Sequence, residues 1–128
     1  MRAQLSALAE KAAYRQLSNA DMFPLCLANG MSPSVLCDGI ALDLAERYFA
    51  GSIDWRSADA AMTHLLEWAY GDDGHGLPNF AWSVYSAFTL GEDRHDGQPA
   101  DAAADYFCLP LLRHAYITYC AGHPCPPR

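Results

Sequence analysis

Leu36, Ile40, Leu44 and Tyr48 recur at intervals of four. On a helix that spacing makes one apolar stripe. The same helical period runs through most of the chain, and strand-like alternation is nearly absent. This pattern constrains the fold more than any other feature: it predicts an all-α domain of five or six helices.

The stripe predicts a helix over 35–50, capped by Ser34 and ended by Gly51. Asp43 and Arg47 form an i,i+4 pair expected on its outer side. Gly39 inside it either allows a close helix crossing or marks a break. Upstream, residues 2–17 are expected to turn Leu5, Leu8, Ala12, Tyr14 and Leu17 inwards, with Glu10, Lys11 and Arg15 outwards. Residues 18–33 read as a connector with one short helical turn around Met22–Leu27. Downstream, Ser57 is the expected cap of a helix to Tyr70, with Gly71 just beyond it. Pro78 opens a helix over 78–90 that carries no charge and is closed by Gly91. Residues 92–101 read as a polar loop, and a last helix is expected over 102–121, interrupted at Pro110. The domain is expected to span 1–122, with 123–128 a proline-rich tail.

A chain of 128 residues with 52% hydrophobic residues can build one core. Its formal net charge of −7 argues against nucleic acid and against anionic membrane surfaces, both of which need Lys and Arg. The same charge suits a basic protein partner, because complementary fields steer encounter. Lys11 is the single lysine among eight basic residues, which with the abundant alanine points to a GC-rich bacterial gene. No signal-peptide pattern and no membrane-length apolar run stand out, so the expected compartment is the cytoplasm. There the five cysteines are expected as reduced thiols.

Two stretches repeat one pattern: Gly71-Asp72-Asp73-Gly74-His75 and Gly91-Glu92-Asp93-Arg94-His95. Imidazoles and carboxylates are metal ligands, so His75, His95, Asp73 and Asp93 are the candidate set if the loops converge. The plain alternative is two helix ends followed by solvated acidic loops. If the flanking helices are antiparallel, the two loops fall at opposite ends of the bundle.

Other constellations are weaker. Phosphate-loop, dinucleotide, hydrolase-elbow and zinc-protease motifs do not occur in the sequence. Glu92, Arg94, Asp96 and Gly97 imitate half a calcium loop, but Arg94 holds a ligand position and Ala103 stands where the last acid belongs. Cys120, His123 and Cys125 offer three soft ligands that would need Cys108 or His114 to complete a zinc site. Core packing for Cys108 and Cys120 is the simpler reading. Cys26 and Cys37 sit in apolar settings where thiols are inert. No cofactor is expected.

LPNFAWSVYSAFTLGEDRH, residues 77–95, with ALDLAERYFAGSIDW, residues 41–55, resembles small acidic helical bacterial proteins that include immunity proteins of toxin and effector pairs. The resemblance implies a non-enzymatic inhibitor that covers the active site of a basic toxin. The acidic loops then supply the expected partner face: Asp72, Asp73, Glu92, Asp93 and Asp96, with Tyr70 as aromatic anchor. Two other readings stand beside it. One is a metal-dependent enzyme or sensor using His75 and His95. The other is a structural or adaptor subunit that self-associates through the uncharged helix over 78–90.

Overall fold

A computed structural model describes residues 2–71, 76–92 and 100–122. Among them are six helices and no strand: α1 (Arg2–Tyr14), α2 (Asn19–Asn29), α3 (Pro33–Phe49), α4 (Trp55–Ala69), α5 (Asn79–Glu92) and α6 (Ala100–Gly122). The protein is an all-α bundle, as the periodicity predicts. Leu36, Ile40, Leu44 and Tyr48 all lie in the core. Cys37, Ala41, Leu42 and Ala45 are buried beside them, so α3 is enclosed on most sides. It touches all five other helices.

Three helices begin earlier than the sequence reading places them. Their caps are Ser18, Ser32 and Asp54, not Ser34 and Ser57. Each cap oxygen accepts a backbone N–H three residues on: Asp21 to Ser18 at 3.3 Å, Val35 to Ser32 at 3.2 Å and Ser57 to Asp54 at 2.8 Å. Pro33 fits the first position of α3 because a first-turn residue has no helical acceptor for an N–H. Apolar spacing marks where burial begins; a helix begins where its first free N–H groups find acceptors.

The expected connector at 18–33 is an eleven-residue helix, α2. Ser18 and Asp21 form a reciprocal capping box. Pro24 lies inside it, exposed, and the carbonyl it leaves unbonded is that of Ala20 in the exposed first turn. Asp21 also receives Arg15 at 3.0 Å and Lys11 at 3.2 Å. The Arg15 bond, followed by those of Ser18 and Lys11, holds its carboxyl well below the usual carboxylate range. The α2–α3 pair bends by 105°, and among the described residues no single helix is long and apolar enough to cross a membrane.

Gly51 does end α3. At φ +74 it lets Ser52 N–H reach the Arg47 carbonyl at 2.8 Å while its own N–H bonds Tyr48. Gly39 proves to be a close crossing: a Cβ there would lie 3.2 Å from both Leu5 methyls of α1. Beside this contact the Asp43–Arg47 pair is inside, not outside. Asp43 is only 4% exposed. It accepts Arg47 Nε–H at 2.7 Å and the Ser6 hydroxyl at 2.9 Å. Arg47 also donates to the Ser6 carbonyl and to Glu10. Helical spacing pairs residues four apart but does not say which face a neighbour will cover; α1 lies across this one.

Leu5, Leu8 and Ala12 are buried on α1 as expected, but the helix stops at Tyr14, which is 86% exposed. Leu17 is buried from the turn beyond. The His64 ring nitrogen Nδ1 lies 2.6 Å from the Ala12 carbonyl near the end of α1. A carbonyl only accepts, so Nδ1 carries the proton, and one of α1's terminal carbonyls gains a donor.

Gly91 does not close α5, which runs through it to Glu92, and α6 already begins at Ala100, so both ends of the expected 92–101 loop are helical. A glycine permits termination without enforcing it. Pro110 does not split α6 either; the helix is continuous across it, with Pro110 exposed on the outer side. Cys26, Cys37 and Cys108 are reduced, whereas Cys120 is disulfide-bonded, against the expectation of five reduced cysteines. Compartment sets the average redox state; a particular bond depends on the separation of two sulfurs.

Candidate functional site

Helix α5 carries no charge before its last residue, Glu92, and buries one side in the bundle. Phe80, Ala81, Val84, Ala87 and Phe88 are all buried, against α3, α4 and α6. Trp55 at the start of α4 donates its indole N–H to the Phe88 carbonyl near the end of α5 at 3.0 Å. That bond fixes the two helices antiparallel.

Tyr70 caps the C-terminus of α4 and is 58% exposed. Its ring rests on Gly76, where a Cβ would come 3.4 Å from two ring carbons and the hydroxyl oxygen. Gly76, at φ +73, returns its N–H to the Ala69 carbonyl at 2.8 Å. The chain therefore comes back to the end of α4 before α5 begins, and Tyr70 stands over that return. Gly71 follows the cap but holds no left-handed conformation.

Of the expected partner face, Tyr70 is described and exposed. Glu92 is the last residue of α5, at the far end of the antiparallel pair from Tyr70. Fourteen residues of α5 span about 20 Å at 1.5 Å each. Asp72, Asp73, Asp93 and Asp96 lie outside the described residues, as do the metal candidates His75 and His95. Antiparallel packing separates the starts of the two loops, as the sequence reading anticipated for neighbouring helices. Among the described residues, no group of three or more His, Cys, Asp and Glu side chains is placed to hold a metal.

The Cys37 thiol is pushed up to about 12 by burial, then by Asp38 and Cys26. Burial also raises Cys26. Both are far from the thiolate form a nucleophile needs. The three tryptophans differ: Trp55 is buried, Trp68 is half-buried with its N–H on Asn19 Oδ1 at 2.9 Å, and Trp82 is 47% exposed.

Two grooves flank α6 that the sequence reading did not find. One, of about 720 Å³, lies where α3 passes into α4 and includes Phe49, Trp55, Tyr116, Asp54 and Arg113. It carries both signs of charge. The other, of about 680 Å³, lies between α5 and α6, with Asp38 of α3 among its lining residues. Asp38 Oδ1 accepts the backbone N–H of Ala81 at 3.1 Å. Pro78, just before α5, has no side-chain acceptor, so this helix is capped from α3. The signal in the sequence was a Pro-opened helix without a Ser, Thr, Asp or Asn cap before it; which residue supplies the acceptor is not a local property.

Comparison with known protein families, with curated proteins and with solved structures finds no match to this chain.

Proposed function

We propose that the protein is a non-enzymatic binding protein that docks a basic protein partner through the end of the bundle marked by Tyr70. The observation that carries this reading is Tyr70 itself. A large aromatic ring is left in water at a helix end, braced by Gly76, next to the acidic pair Asp72 and Asp73 in sequence. Rigid amphipathic rings with a charged rim are the usual makings of an interface centre. The net charge of −7 supports the sign of the partner. Within this reading the partner is a cognate bacterial toxin, the mode of action is blockade of its active site, and the compartment is the cytoplasm. Because α4 and α5 are antiparallel, Glu92, Asp93 and Asp96 belong to a second contact region or to none.

Co-expression with the product of the neighbouring reading frame tests the proposal. That product is expected to arrest growth alone and to be neutralised by this chain. Tyr70→Ala with Asp72→Lys and Asp73→Lys is expected to abolish protection while the melting temperature holds. Glu92→Lys with Asp93→Lys is expected to weaken protection less. Absence of toxicity, or full protection by the Tyr70 triple variant, would refute the reading.

A further inference from the structure

The groove where α3 passes into α4 has a volume of about 720 Å³, in the range of small-molecule sites. Phe49, Ile53 and Trp55 line it from that passage, and Leu109, Tyr116 and Ile117 line it from α6. On α6, Leu109, Arg113, Tyr116 and Ile117 follow helical spacing and share one face. The Tyr116 ring meets Phe49 edge to face at 5.4 Å and 85°, and its hydroxyl donates to Glu46 Oε2 at 3.0 Å. These two contacts hold the aromatic wall in place. Ile117 is 66% exposed, so apolar surface at the groove is left in water.

Among the described residues, Asp54 and Arg113 are the charged groups that line the groove, and their commitments differ. Asp54 is the cap of α4, and its Oδ1 accepts the Ser57 N–H at 2.8 Å. The Ser57 hydroxyl and N–H, followed by Arg56, hold its carboxyl below its ordinary value against the opposing effect of burial. Its charge is also set against the positive end of the α4 dipole. Arg113 is exposed and makes no hydrogen bond or ion pair. It stands within the otherwise apolar stripe of α6. A guanidinium binds a carboxylate through two parallel N–H bonds. The groove thus joins an uncommitted cation to apolar walls, while its acid is already bonded. One guanidinium matches one carboxylate, and Asp54 disfavours a more highly charged group such as a phosphate dianion.

We propose that this groove is a binding site for a small arylalkyl carboxylate, its carboxylate at Arg113 and its apolar body against Phe49, Ile53 and Tyr116. The site lies at the start of α4, whereas Tyr70 stands at the end of that helix. It does not depend on the Tyr70 surface.

3-Phenylpropionate is the probe, with 3-phenylpropionamide and 3-phenylpropylamine as neutral and cationic forms of the same frame. Each is titrated into the 15N-labelled full chain. 3-Phenylpropionate is expected to shift the amides of Gly51, Ile53, Arg113 and Ile117 saturably. The two controls are expected to bind at least about tenfold more weakly. Arg113→Gln removes the charge at an exposed position, and is expected to weaken 3-phenylpropionate about tenfold with the melting temperature unchanged. Ile117→Glu places a carboxylate one turn from Arg113, where it competes for the guanidinium, and is expected to abolish binding. The proposal is overturned by absence of a saturable shift at these amides, by equal affinity for all three compounds, or by wild-type affinity in either variant.

Discussion

Helix α3 places two aspartates five residues apart, and the bundle treats them in opposite ways. Asp43 is closed in by α1 and meets Arg47 and the Ser6 hydroxyl. Asp38 lines an open groove and accepts a backbone N–H from α5. At 3.6 residues per turn they lie roughly 140° apart around one helix. The α1–α3 seam is closely approached at Gly39 and uses its charges to satisfy one another. The α5–α6 groove leaves Trp82 and Leu111 partly in water and uses its acid to cap α5. One carboxylate binds side chains inside a seam; the other caps a neighbouring helix beside a groove. Composition alone counts them as equal.

The largest expected effect lies in the seam. Asp43→Ala leaves Arg47, only 22% exposed, without its shortest partner, and is expected to cost about 3–5 kcal/mol in urea unfolding. Asp43→Leu with Arg47→Met is expected to recover much of that loss. If Asp43→Ala unfolds like the parent chain, the seam is not a closed network. Gly39→Val drives a branched side chain into Leu5 and is expected to cost about 1–3 kcal/mol by the same assay. Ser32→Ala removes the cap of α3 and should lower stability by about 1 kcal/mol.

The acid limb probes the α1–α2 junction. The Asp21 carboxyl is held below its unfolded value, so its contribution is present above the ordinary carboxylate range and fades as pH falls through the folded value. Asp21→Asn is expected to lower stability at neutral pH and to flatten its decline in acid, as followed by helical signal. The smallest effect belongs to the groove: Asp38→Asn keeps a cap acceptor and should change stability by no more than about 1 kcal/mol. A loss as large as that of Asp43→Ala would erase the contrast between the two aspartates.

The sequence by itself determined the helical class, the buried stripe Leu36, Ile40, Leu44 and Tyr48, the end of α3 at Gly51, and an α5 that buries most of its large apolar residues. These follow from period, backbone freedom and desolvation, which act locally. It also raised the antiparallel geometry that separates the starts of the twin acidic loops. Tertiary structure alone decided what covers each face. It put α1 over the Asp43–Arg47 pair, brought Asp38 to the first turn of α5, turned Tyr14 outwards, and opened the groove beside Trp82. It also decided that residues 19–29 form a helix despite Pro24, and that α6 runs unbroken past Pro110. Those outcomes depend on residues distant in sequence meeting in space, and helical period is silent on which neighbour arrives.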